Sequence, residues 1–319
     1  MSSKKTFLLW LAQIRANFLL LAALLVAIGL AVSYKYQQPE VSFNWLNAVL
    51  IMVGVVSAHI SVNLFNEYSD FKTEIDFNTK RTPFSGGSGI LTQGLISPAK
   101  VLRVAVATLI LSLAIGIYFT IISHWSILVI SLFGAFTIVY YTKFLTRYLL
   151  GEFFAGVTLG SLVVIGTYLA MNVTPGTGLK GLIPGGVALI SIPPGILTSL
   201  LLFLNEFPDA EADKKGGRKH LVIKFGYKAS AFIYTGGMIA TFGTIVLLPL
   251  LGYASWWLYI ALLPLPLALK ASISAFKFNG DLNIFIPALM SNVITVLTTD
   301  LLIAVGIVLD KIGTLSLLV

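Results

Sequence analysis

Nine apolar runs of roughly twenty residues govern what this chain can fold into. They cover about 16–34, 45–65, 101–122, 125–142, 149–171, 183–204, 229–250, 255–272 and 286–309. At 1.5 Å rise per residue, about twenty helical residues cross a hydrocarbon core of about 30 Å. In lipid every backbone N–H and C=O must find its partner inside the protein, which leaves only helices and closed barrels. Ten-residue segments of alternating polarity, the mark of a barrel, are absent from the sequence. The expectation is an all-α integral membrane protein, nine transmembrane helices forming one domain over residues 1–319. Composition agrees: 57% of the 319 residues are hydrophobic and 11% charged, where soluble domains carry about 25%. Lys4, Lys5 and Arg15 precede the first run without a clear small-residue cleavage site after it, so an uncleaved first helix is expected. The chain has no cysteine, which excludes disulfides, zinc–thiolate sites, iron–sulfur clusters and a cysteine nucleophile.

Charge orients the helices. With the N-terminus assigned to one side, eighteen Lys and Arg fall on that side, and only Lys35, Lys180 and Lys311 fall on the other. The positive-inside rule makes the populated side cytoplasmic. The net charge of +8 thus serves topology and anionic lipid, and no nucleic-acid partner is expected. The long polar connections, 66–100 and 205–228, both lie on this side and are read as cytoplasmic cap loops over a central cavity that opens there.

Those connections begin with one phrase written twice, Asn-Glu-aromatic-x-Asp, at Asn66 and again at Asn205. His59, Asn63, Asn66, Asp70 and Glu74 follow at spacings of three or four and line one helix face, with Glu67 at its edge. Asp70 and Glu74 are one turn apart. Asp76 joins them only if the helix ends near Glu74. In the second copy Asn205, Asp209 and Asp213 repeat the spacing, and Glu211 points away. Carboxylates clustered at a membrane boundary repel one another unless a cation joins them. Oxygen ligands without a His–Cys cluster suit Mg²⁺, which shares its coordination with phosphate oxygens. The basic residues after each copy suit the phosphate itself.

These residues resemble the UbiA-type intramembrane prenyltransferases. That family's first motif, N-D-x-x-D with a further acid, is similar to Asn66-Glu67-Tyr68-Ser69-Asp70. Its second, D-x-x-x-D-x-x-x-G-x-x-T-L, is similar to Asp209 through Asp213, Gly217 and "RKHL". "YYTKFLTRYLLGE", Tyr140 to Glu152, resembles its Tyr-rich segment, and Arg15 matches an arginine before the first helix. Departures are Glu67 and Glu206, and His220 where Thr is common. An acid six residues after Asp70 resembles the 1,4-dihydroxy-2-naphthoate branch and implies Asp76 as a ligand, while other branches imply Glu74.

The resemblance implies nine helices and Mg²⁺-dependent transfer of a polyprenyl group from a polyprenyl diphosphate to an aromatic acceptor. It implies two Mg²⁺ ions on Asp70, Asp209, Asp213 and Glu74 or Asp76. Asp70, Asp209 and Asp213 are the expected catalytic acids, with Tyr141 shielding an allylic cation. Arg15, Asn66, Lys80, Arg81, Lys143, Arg147 and Asn205 are the expected substrate-binding groups. Glu152, Asp300 and His59 are acids and a base without an assigned role, and His124 reads as an interfacial residue. "GGSG", 86–89, lacks the Lys-Ser/Thr of a P-loop and reads as a flexible cap. Two alternatives are transfer to a non-aromatic lipid acceptor and, from another class, a cation-coupled transporter. Against the transporter, its acids belong at the bilayer midplane between inverted repeats, whereas here both phrases lie at helix ends on one side.

Overall fold

The structure, a computed structural model, describes residues 3–37, 42–141 and 144–316. Among the described residues it is all helical. A short helix, α1 (Ser3–Gln13), precedes α2 (Leu19–Tyr36), α3 (Trp45–Lys72), α4 (Pro98–Ile122), α5 (Ser126–Tyr140) and α6 (Gly151–Asn172). There follow α7 (Gly185–Lys215), α8 (Leu221–Leu250), α9 (Trp256–Lys277) and α10 (Leu282–Ser316). Among the described residues eight helices, α2–α4 and α6–α10, are long and apolar enough to cross a membrane. The expected count of nine is met only in part. Helix α5, at 15 residues, rises about 22 Å, because the chain leaves the helix at Tyr140 and carries Tyr141 inward.

Helix α7 is the central column, with 67% of its apolar stretch buried, whereas α4 has 17% and faces outward. Around α7 pack α6, α8 and α10, and α2 bridges α10, α6 and α3. Small residues let backbones approach, as is usual between helices in lipid. A Cβ on Gly160 would lie 2.5 Å from Gly195 Cα, and one on Gly29 would lie 2.5 Å from Thr167 Cβ. The first seam draws the start of α6 against α7. Ser199 Oγ, on α7, donates to Glu152 O at 2.7 Å. Exposed Ile110, Ile121, Leu132, Ile239 and Leu269 form the outward surface that an apolar solvent would wet.

Two helices overrun their apolar stretches. Helix α3 continues through Asn66 and Asp70 to Lys72, and α7 continues through Asn205, Asp209 and Asp213 to Lys215. The acidic phrases therefore ride on helix ends, and the loops start after them. Helix α8 is broken at Gly226 (φ 76°, ψ 169°), a conformation open to glycine.

Candidate active site

The first phrase ends in a backbone reversal. Thr73 caps α3, Glu74 takes left-handed geometry (φ 59°), and Ile75–Asn78 forms one further helical turn. The left-handed residue separates the two candidate acids. Glu74 is exposed, whereas Asp76 is buried at 4% exposure and lines a polar chamber with Asp70, Asp209 and Asp213. The fork between Glu74 and Asp76 thus has a geometric answer, and only Asp76 joins the cluster. Burial pushes the Asp76 carboxyl up to about 8, and the nearby Asp70 and Glu67 carboxylates push it the same way.

Arg218, from the connection after α7, closes the chamber between the two phrases. Its guanidinium donates to Asp70 Oδ1 and, at 3.1 Å, to Asp213 Oδ1. It remains protonated, because the attraction of Asp70 and Asp213 outweighs the opposing effect of burial. Along the sequence Arg218 is only one of four cations around a glycine break. Its signal is the turn at Gly217 (φ 83°), which allows Arg218 N to donate back to Asp213 O at 2.9 Å.

The 82–90 loop, the "GGSG" segment read as a cap, lies over the acids as a strap. Glu67 holds it: Ser88 N and Oγ donate to its carboxylate at 2.7 and 2.6 Å, and Gln13 Nε2 donates at 3.2 Å. Gly86 N donates to Asp209 Oδ2 at 3.2 Å. Gly87 (φ 68°) passes so close that a Cβ there would lie 2.7 Å from Asp76 Oδ1. Glu67, from helical spacing an edge residue of the metal face, is a strap anchor.

Arg15 is itself left-handed (φ 54°). Its Nη2 donates to Phe84 O at 3.3 Å and its guanidinium stacks 4.6 Å from the Phe18 ring. Not every expected binding group reaches the chamber. Lys80 and Arg147 are exposed and do not line it, and Arg81 points to Thr92 Oγ1. Lys143 lies outside the described residues.

Beneath the chamber lies a second, apolar cavity of about 320 Å³, walled by α2–α7. Its lining includes Leu21, Ile51, Leu113, Phe119, Ile130 and Leu201. Arg15, Asn66, Tyr141, Leu202 and Asn205 line both spaces, so they form the neck between polar head and apolar tail. His59 lines the apolar cavity. Asp300 is fully buried on α10 with neither oxygen hydrogen-bonded. Asn292, on the same helix, instead accepts from Tyr234 Oη and donates to Leu200 O. His124 binds Ser126 Oγ and Thr177 O in a connecting loop.

The donor set fits hard divalent cations. Asp209 Oδ1 and Asn205 Oδ1 are buried in the chamber without a hydrogen-bond partner, which is costly unless a cation or a ligand engages them. All-oxygen donors with a phosphate-sized polar space are the pattern Mg²⁺ prefers. Asp70, Asp76, Asp209 and Asp213 are the residues that would hold it.

Comparison with known proteins bears on this arrangement. The family model described as "UbiA prenyltransferase family" matches residues 36–292. A 1,4-dihydroxy-2-naphthoate octaprenyltransferase of Bacillus subtilis (strain 168) is 30% identical over 260 residues, 79% of this chain and 78% of its own length. One of the same name from Escherichia coli (strain K12) is 25% identical over 307 residues, 95% and 96% of the two chains. Among solved structures, an apo UbiA homolog from Aeropyrum pernix K1 shares the fold with a TM-score of 0.69 at 16% identity, over 92% of this chain and 98% of that one. A UbiA homolog from Archaeoglobus fulgidus, solved with DMAPP and Mg²⁺, shares it with a TM-score of 0.57 at 17% identity, over 93% and 99%. The transporter alternative falls with these matches. A family model that matches from the end of α2 into α10, on a fold these homologs share, establishes the kinship: the chain is a membrane prenyltransferase belonging to the UbiA prenyltransferase family.

Proposed function

We propose that the protein transfers a polyprenyl group from a polyprenyl diphosphate to an aromatic acceptor of the 1,4-dihydroxy-2-naphthoate class, with two Mg²⁺ ions in the chamber. One observation carries the reading. A polar, acid-lined chamber opens through a five-residue neck onto an apolar cavity, the shape of a molecule with a diphosphate head and an isoprenoid tail. The naphthoate relatives support the acceptor class, and the buried Asp76 supports the plus-six acid of that branch.

When bound, Mg²⁺ supplies electrostatic neutralisation of the departing diphosphate. The chain's own residues do the rest. Asp70, Asp76, Asp209 and Asp213 present carboxylates from three helical segments, fixed before substrate arrives. Such preorganisation usually contributes more to the rate of a charge-separating reaction than any other single effect. Arg15 and Arg218 offer N–H donors to phosphate oxygens, and Asn66 and Asn205 orient the head at the neck. The apolar walls of α2–α7 accept the tail without a desolvation penalty. Tyr141, at the neck where head meets tail, brings a ring able to stabilise positive charge on the allylic carbon. The strap over the acids excludes water, which would otherwise capture the allylic cation.

We further propose that the ninth crossing is α5 with the turn after it, that the N-terminus and the chamber face the cytoplasm, and that residues 1–319 act as one domain. The test is incubation of the purified protein with labelled geranylgeranyl diphosphate, Mg²⁺ and a panel of acceptors. A prenylated naphthoate product with diphosphate release is the expected result. Product with only a glycerol-phosphate lipid would replace the aromatic reading, and absence of any Mg²⁺ requirement would remove the metal from it.

A further inference from the structure

On the wall of the chamber, whose lining includes Glu206 and His220, three more side chains converge apart from the four aspartates. Glu152 comes from the start of α6, Glu206 from α7, and His220 from the residue capping the N-terminus of α8. One ligand atom from each lies within 4.8 Å of the other two. All three are at least nine-tenths buried, with exposures of 4% for Glu152, 9% for Glu206 and 3% for His220. His220 Nδ1 stands 3.4 Å from Glu206 Oε2, and its Nε2 stands 3.3 Å from Asp213 Oδ2. Glu152 Oε2, Glu206 Oε2 and the two His220 ring nitrogens thus meet only one another and Asp213, with no well-formed hydrogen bond from any other group.

Buried polar atoms are normally satisfied, so two carboxylates facing the Nδ1 edge of an imidazole need a reason. Poor local packing is not that reason, since the surroundings are well tied. Glu152 Oε1 accepts from Leu221 N at 3.0 Å, and Ser199 Oγ holds the Glu152 carbonyl. Nor does the nearest permanent cation reach them, because Arg218 Nη1 and Nη2 are turned to Asp213 and Asp70. Two buried carboxylates side by side are expensive unless something positive joins them.

We propose that Glu152, Glu206 and His220 form a metal centre at the chamber wall, distinct from the four-aspartate set, taking one divalent transition-metal ion of the Zn²⁺ class. An imidazole nitrogen with two carboxylate oxygens selects transition metals over Mg²⁺. Three protein ligands with a further position left open match the pattern of zinc sites that are not fully closed. The ion's two positive charges balance Glu152 and Glu206. It ties the start of α6, the polar end of α7 and the start of α8 into one unit. Through His220 it also fixes the orientation of Asp213, the carboxylate shared with the four-aspartate set.

The test uses the whole 319-residue chain in detergent, stripped with chelator and then dialysed against Zn²⁺ in a large excess of Mg²⁺. Bound zinc is counted by mass spectrometry, and its ligands are read by X-ray absorption at the zinc edge. The expected result is one zinc per chain that Mg²⁺ does not displace, with one nitrogen and oxygen neighbours at about 2.0–2.2 Å. His220→Ala and Glu206→Gln weaken zinc binding about tenfold or more, while Asp70→Asn leaves it in place. A zinc-dependent rise in melting temperature, present in wild type and absent in His220→Gln, separates loss of the site from loss of the fold. Zinc displaced by Mg²⁺, no zinc retained, or zinc held equally by a folded His220→Ala protein each overturns the proposal. None of these readouts requires prenyl transfer, so failure of the functional reading leaves the result interpretable.

Discussion

Replacing Asp76 by Asn should make the metal-free protein more stable while abolishing Mg²⁺-dependent turnover. The Asp76 carboxyl is held at about 8 against an ordinary 3.8, so folding near neutrality requires it to take up a proton. The sign follows from linkage: the folded state binds this proton more tightly, so stability is greatest in acid. It falls as pH rises through the ordinary value and levels off above about 8. At pH 7 the deficit is on the order of 4 kcal/mol, and at pH 5 roughly 2 kcal/mol, at about 1.36 kcal/mol per pH unit. Asparagine keeps the shape and does not titrate, so Asp76→Asn recovers most of that deficit. Thermal unfolding in detergent without Mg²⁺ should therefore show a higher melting temperature for Asp76→Asn at pH 7 and a smaller gain at pH 5. Added Mg²⁺ should stabilise the wild type and leave the variant unmoved. Exposed Glu74 is the internal control, and Glu74→Gln should match wild type in melting, Mg²⁺ response and turnover. An Asp76→Asn protein that melts no higher than wild type would refute the burial account. So would a Glu74→Gln protein that loses its Mg²⁺ response.

Asp70→Ala, Asp209→Ala and Asp213→Ala should each abolish Mg²⁺-dependent turnover in protein that still elutes as a folded species, and a wild-type rate for Asp209→Ala would remove it from the metal set. Arg15→Ala and Arg218→Ala should each cost about 1.5–3 kcal/mol of diphosphate binding, read as a KM for the diphosphate raised by one to two decades with acceptor KM nearly constant. Arg81→Ala should leave the same KM within a few-fold, since Arg81 is turned toward Thr92; a two-decade rise would return it to the chamber. Gly87→Ala should lower activity without unfolding the helices. Its left-handed φ and its approach to Asp76 together cost roughly 2–4 kcal/mol if the strap stays in place, so the strap lifts, and limited proteolysis near 82–90 should become faster than in wild type.

The sequence alone determined the solvent and the chemistry. Apolar runs long enough to cross lipid force helices because an unpaired backbone group in hydrocarbon has no alternative partner. That signal placed the eight long helices near their observed positions. It drew α5 longer than the 15 residues of the helix, because hydropathy does not register where Tyr140 ends it. Helical spacing was equally legible: Asn66 and Asp70, and Asn205, Asp209 and Asp213, needed only the 3.6-residue repeat to share a face. What spacing could not reach was everything carried by a backbone reversal or by contact between distant segments. Glu74 and Asp76 are two residues apart, and a single left-handed φ at Glu74 sends one outward and the other into the chamber. Arg218 meets Asp70 across 148 positions, Glu67 meets the strap at Ser88, and Glu152 meets Glu206 only because glycines let α6 and α7 touch. Lys80, Arg81 and Arg147, near the motifs in sequence, turn elsewhere. Composition and periodicity act along the chain, so they fix what each helix is. Which charges end up as neighbours depends on packing between helices, and only the tertiary structure decides that.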